Sequence, residues 1–216
     1  MINLQNCTDK ERGGEENVFM TIGFNIIRDL GVPDPAAIGI ATALCQLMST
    51  TERFYHTIVH VNDIYRVVGA KQIQLNEAER LAILFHDAVY VVGKTPESEI
   101  QSANLMKAFL SAYPIKHNVL REAEEIILAT ARHIENVEDT KVQRVLDLDL
   151  SGFASAPHEF TSRNELITLE IGAGNKEKRA EFLQKFIDKS RIFYQLGDLE
   201  AQARSNIRRE IQALKQ

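Results

Sequence analysis

Asn76-Glu-Ala-Glu79-Arg-Leu81-Ala-Ile-Leu84-Phe85-His86-Asp87-Ala-Val-Tyr-Val-Val92 opens with a helix start and continues into an apolar run that holds one histidine and one carboxylate. Asn76 with Glu79 three residues on resembles a capping box, in which each side chain satisfies an amide that the first helical turn leaves open. Leu81, Leu84 and Phe85 then recur at three and four, the spacing of one helix face. The same period extends outward on both sides. Phe19, Ile22, Ile26 and Leu30 give a stripe closed by Gly31 and Pro33, which are stop signals. Asp34 caps a helix with Pro35 at its first position, running to about Ser49. Another is expected from near Phe54, and Thr95-Pro96 starts the next. Later stripes are Val119, Ala123, Ile126, Ile127 and Thr130; Phe182, Phe186 and Phe193 with Leu183, Ile187 and Tyr194; and Ala203, Ile207, Ile211 and Leu214. With only 11 glycines and 5 prolines to break them, these stripes predict an all-α chain of about nine or ten helices.

The softest internal stretches, Ser151 to Pro157 and Ile171 to Asn175, are too short and too unbiased for a linker. The expectation is one all-helical domain over 17–216, preceded by a polar, frayed 1–16. Of the 216 residues 44% are apolar and 25% charged, which excludes a disordered chain, a collagen and a coiled-coil rod. A net charge of −5 offers no overall attraction to nucleic acid or anionic lipid, so no nucleic-acid polymer is expected as partner and any phosphate must be held locally. The longest apolar stretches, Ala36 to Met48 and Leu81 to Gly93, fall short of the roughly 20 residues of a membrane span. The opening lacks the basic start and apolar centre of an export signal. Two cysteines, Cys7 and Cys45, have neither metal-ligand spacing nor the density of a disulfide scaffold, which fits a reducing cytoplasm.

Three places carry polar groups where burial is expected. Between Leu81 and Val92, Asp87 needs a cation or several donors, since an unpaired buried carboxylate is strongly unfavourable. A metal would supply that charge; a helix-end Asp beside a satisfied core His is the competing reading. In Val145-Leu-Asp147-Leu-Asp149-Leu150 two carboxylates interleave with leucines. On a helix only one of them points inward, and surface Asp alternating with core Leu competes. In Arg53-Phe-Tyr-His56-Thr-Ile-Val-His60 two histidines at i and i+4 share a helix face, with Arg53 one turn before His56. Such a pair can share a metal, line a pocket or lie on the surface.

Taken in order, His56, His86-Asp87 and Asp149 match the H…HD…D signature of HD-domain metal-dependent phosphohydrolases, an all-helical superfamily. The blocks Tyr55-His56-x-x-x-His60, Phe85-His86-Asp87-x-x-Tyr90, Ser98-Glu99-x-x-Ser102-Ala103, Thr130-x-x-His133, Asp147-Leu-Asp149-Leu-x-Gly152 and Ala203-Arg204-x-Asn206-Ile207-x-x-Glu210-Ile211 resemble one subgroup, the small predicted metal-dependent HD phosphohydrolases. Coverage runs from about Val18 to Leu214. Two departures stand out. Ser98-Glu99 replaces the usual Asn-Glu, and Arg163-Asn164-Glu165-Leu166 replaces an Arg-x-Glu-Tyr motif and so loses an aromatic hydroxyl.

The resemblance implies a single compact HD-type helical bundle with His56, His86, Asp87 and Asp149 as metal ligands. Two imidazoles and two carboxylates suit Mn, Fe, Co, Ni or Zn as a divalent ion better than Ca²⁺. Such an ion lowers the pKa of a bound water and neutralises phosphoryl oxygens, which is what phosphate-ester hydrolysis requires. Arg53 is the candidate for holding phosphate, a guanidinium pairing with it bidentately, and a solvated arginine is its rival reading. His60 and His133 are candidates for contact with the metal's surroundings, for substrate protonation or for a second metal, a core histidine being the alternative for His133. Glu99 can act as general acid or base or merely complement a helix N-terminus. Asp147 supports the site through hydrogen bonds, while His117 and His158 belong to the surface. The expected substrate is a small phosphorylated metabolite such as a nucleotide. The alternatives are a non-enzymatic metal-binding or regulatory module and a di-iron oxygenase, which usually needs extra histidines between the HD pair and the last Asp, where the chain offers only His117 and His133.

Overall fold

Gly31 ends the first helix at φ +87°, a left-handed backbone that a side chain would strain. In the computed structural model, which describes residues 9–215, ten α-helices follow one another and the described residues contain no strand. They are α1 (Asp9–Asp29), α2 (Asp34–Leu47), α3 (Ile58–Ala70), α4 (Glu77–Phe85), α5 (Glu97–Leu110), α6 (His117–Thr130), α7 (Thr140–Asp149), α8 (Pro157–Ile171), α9 (Lys176–Asp188) and α10 (Glu200–Leu214). Among the described residues no helix is long and apolar enough to cross a membrane. The helices are grouped in two compact units, one through Arg132 and one from His133. That boundary follows α6 and coincides with neither soft stretch of the sequence.

In the first unit α1 packs on α2 and α3, and α6 lies against both α4 and α5. Phe19, Ile27, Leu44, Ile58, Leu81, Leu84, Phe85, Met106 and Ile127 are all closed to solvent, each contributing roughly 1.5–3 kcal/mol. Gly23 lets α1 approach α2: a Cβ there would stand 3.3 Å from that of Ala41. The frayed start expected for 1–16 divides in two. Residues 1–8 lie outside the described chain, whereas from Asp9 the backbone is helical. Glu15 is buried, accepting from Asn62 Nδ2 at 2.7 Å and from Arg66 Nη2 at 2.6 Å. These bonds tie α1 to α3.

The capping box on α4 forms as the sequence indicates. Glu79 donates its amide to Asn76 Oδ1, and Asn76 donates its own to Glu79 Oε2, both at 2.8 Å. Other boundaries shift. Asp34 is the first residue of α2 and Pro33 its cap. The helix expected from Phe54 begins instead at Ile58, because Thr57 takes the cap and accepts from Val59 N at 3.3 Å. His56 therefore precedes the helix that carries His60.

In the second unit Asp139 caps α7 through Lys141 N and Val142 N. The 3-10 turn Leu150–Ala154 follows and packs on α10, which also packs on α9. Phe153 meets Phe160 and Phe186 edge to face at 6.3 and 5.1 Å, so the aromatic stripe of α9 is core, as its spacing implies. Asp147, fully buried, accepts from the amides of Tyr194 (2.8 Å), Gln195 (2.6 Å) and Leu196 (2.9 Å). Its carboxylate closes the loop between α9 and α10.

Candidate metal centre

α4 stops at Phe85, and His86 forms its C-cap. The Nδ1 atom of His86 lies 2.9 Å from the carbonyl oxygen of Ile83. A carbonyl only accepts, so Nδ1 carries the hydrogen and the neutral ring presents its lone pair at Nε2. That Nε2 stands 3.0 Å from Asp87 Oδ2. From the first turn of α3, His60 brings a second Nε2 to 3.8 Å from the same oxygen. The three ligand atoms lie within 4.8 Å of one another.

Asp87 Oδ2 is buried and receives no hydrogen bond of acceptable geometry. The His86 lone pair and a carboxylate oxygen facing one another repel unless positive charge is present. A protonated His86 would satisfy one contact. The convergence of His60 on the same oxygen fits a cation held by all three, at the usual metal–ligand reach of about 2.0–2.2 Å. The cluster can hold a metal ion. His60 and His86 are shut from solvent, whereas the Asp87 side chain keeps 15% of its surface exposed. Burial pushes the Asp87 carboxyl up, but the neighbouring imidazoles of His86, His56 and His60 outweigh it and hold the group well below the usual carboxylate range.

The structure brings His60, expected beside the metal, at the substrate or at a second metal, together with His86 and Asp87, and sets His56, expected as a ligand, outside this cluster. The reason is the helix boundary. With Thr57 as cap, His56 sits in the bend before α3, where its ring stacks on Tyr90 with centroids 4.0 Å apart and planes 21° apart. Tyr55 meets it edge-on at 5.0 Å, and the His56 ring lies 6.3 Å from that of His60.

Arg53, expected to hold phosphate, makes contacts with the backbone. It is buried, and its guanidinium donates to backbone carbonyls: Nη1 to Asp87 O at 2.6 Å and His56 O at 3.2 Å, and Nη2 to Ala88 O at 2.9 Å. Glu99 is in the first turn of α5 and partly buried. The other two expected residues belong to the second unit, where His133 Nε2 and Asp149 Oδ2 pair at 2.7 Å. Lys189 Nζ donates to the His133 carbonyl at 3.2 Å. Asp147 does not touch that pair through its carboxylate oxygens, which serve the 194–196 amides. His117 and His158 are exposed, as expected.

Two serines and a tyrosine escaped the sequence reading as functional residues. Ser102 Oγ accepts from Val89 N at 3.0 Å and donates to Val89 O at 3.1 Å; Ser98 Oγ does the same with Val91 at 3.0 and 3.4 Å. The signal was available, since Ser98 and Ser102 are one turn apart on the apolar side of α5. Tyr90, between the two held residues, is the ring that stacks on His56. The chain matches no protein-family model, no curated protein and no solved structure.

Proposed function

We propose that this chain is a metal-dependent hydrolase of the HD-domain type that cleaves a phosphate ester, with a nucleotide or related small phosphorylated metabolite as substrate class. One observation carries the reading: His60, His86 and Asp87 set two imidazole nitrogens and a carboxylate oxygen around one point. A divalent transition metal there would supply charge neutralisation and a water of lowered pKa. The residues do the rest. The Ile83 carbonyl fixes the His86 tautomer, and Arg53 holds the backbone that carries Asp87. Glu99 is the candidate general acid or base. The resemblance in residue order supports the family, and the site supports the chemistry.

The test is metal-reconstituted protein, loaded with Mn²⁺, Co²⁺, Fe²⁺ or Zn²⁺ in turn, incubated with nucleoside monophosphates, triphosphates, cyclic nucleotides and sugar phosphates. Release of phosphate or nucleoside that disappears in His86→Ala supports the reading. Reversible binding of one of these compounds by metal-loaded protein with no product at all would replace it with a metal-binding module. Oxygen consumption by the iron-loaded protein would replace it with an oxygenase.

A further inference from the structure

The segment 87–91, which carries Asp87 and Tyr90, has no regular secondary structure, yet its backbone is held residue by residue. Arg53 takes the carbonyls of Asp87 and Ala88. Ser102 takes both the amide and the carbonyl of Val89, and Ser98 takes both of Val91. The two hydroxyls, spaced one helical turn apart, act on alternate residues as the edge of a partner strand would. Val89 and Val91 are thus fixed on either side of Tyr90, whose ring stacks on His56. Arg53 also takes the carbonyl of His56, which joins the bend before α3 to the segment after α4.

All three side chains are buried: Ser102 is closed to solvent, Ser98 is 4% exposed and Arg53 is 9% exposed. A buried guanidinium facing three carbonyl oxygens is a strong, charge-assisted fastening. A lysine in its place would bring one ammonium, with no planar fork to span three acceptors.

We infer that Arg53, Ser98 and Ser102 are positioning residues of the metal centre, fixing the backbone of 87–91 so that the Asp87 carboxylate is set against His60 and His86 and the Tyr90 ring against His56. This rests on the proposed metal site and adds to it which residues set its geometry. Groups that orient ligands without touching the ion change metal affinity by about 10- to 100-fold when removed, and the same size of effect is expected here.

Co²⁺ is the probe, since its visible absorption reports the number and arrangement of its ligands and its binding can be titrated directly. Arg53→Lys, Ser98→Ala, Ser102→Ala and the double serine variant are compared with wild type, with circular dichroism and melting of the metal-free proteins as the check on folding. The expected result is binding weakened by about 10- to 100-fold in Arg53→Lys and in the double serine variant, with altered absorption bands at saturation. Should Arg53→Lys fail to fold, the serine variants decide alone. Folded variants that bind Co²⁺ with wild-type affinity and wild-type bands overturn the inference while leaving the metal site standing. A wild-type protein that takes up no Co²⁺ overturns the site and the inference together.

Discussion

His86 Nε2 stands 3.0 Å from Asp87 Oδ2, although the two residues are adjacent in sequence. On a continuous helix neighbouring side chains point about 100° apart, and these two would diverge. They converge because α4 ends at Phe85, leaving His86 as its cap and Asp87 in the turn beyond. The Ile83 carbonyl, one of those that a helix end leaves without a partner, then takes the His86 Nδ1 hydrogen. The end of the helix therefore aligns both ligands and selects the tautomer that one of them needs.

His60 and His56 are distinguished by metal content. His60→Ala removes a converging nitrogen and is expected to lose most of the bound transition metal, as is His86→Ala. His56→Ala, whose ring stacks on Tyr90, is expected to keep near-stoichiometric metal. Elemental analysis of the purified variants checks this. The reverse pattern, with His56→Ala empty and His60→Ala loaded, would restore the ligand set expected from residue order.

Chelation should destabilise the wild type and leave Asp87→Asn indifferent. A ligand present at about 100 times its dissociation constant adds about 2.7 kcal/mol to the folded state, and stripping it lowers the melting temperature accordingly. Asp87→Asn keeps the shape of the side chain but lacks the charge that holds the ion. Melting curves with and without chelator make the comparison. Equal shifts in both proteins would remove Asp87 from the centre.

The helical architecture was legible because it rests on local signals. The stripe on α1, the Asn76–Glu79 box and the Gly31 stop each act within a few residues, and all three form. His86 and Asp87 were legible too, as polar residues in an apolar run. The placement of His60, and not His56, within the cluster was not, because it turns on whether the helix starts before or after Thr57. A single cap residue moves one histidine off the shared face. The backbone bonds of Arg53 were hidden for a related reason. An arginine beside a histidine suggests an anion, and its carbonyl partners at Asp87 and Ala88 lie 34 and 35 residues away. Hydrogen bonds from a side chain to distant backbone leave no periodic trace in a sequence, which also hid the serine contacts of α5 and the attachment of Asp147 to the 194–196 amides.

Asp147 holds a loop, and its removal is costly. Asp147→Ala leaves the amides of Tyr194, Gln195 and Leu196 without their acceptor, a loss of about 1–3 kcal/mol for the buried Leu196 amide and less for the two nearer solvent. Asp147→Asn rescues little, because both carboxylate oxygens are in use and its NH₂ would face an amide donor. Urea denaturation of the two variants should show similar, large losses of stability. An Asn variant as stable as wild type would mean that one acceptor suffices.

Glu210 on α10 supplies a pH test of the second unit. Burial pushes its carboxyl up and Glu165 adds to this, while Arg179 and Arg209 pull it down without cancelling the rise. A carboxyl with a native pKa above its unfolded value favours folding most while protonated. Its contribution is complete below the unfolded value of about 4.3 and is lost as pH rises through the raised native one. Glu210→Gln cannot ionise and keeps the neutral form throughout. The two proteins should therefore match in stability near pH 4, and the glutamine variant should be the more stable at pH 7. The gain stays within about 1 kcal/mol, because the group is only half buried and solvent screens it. Urea midpoints at the two pH values measure this directly. A glutamine variant less stable than wild type at pH 7 would show that the attraction of Arg179 and Arg209 outweighs the burial of the charge.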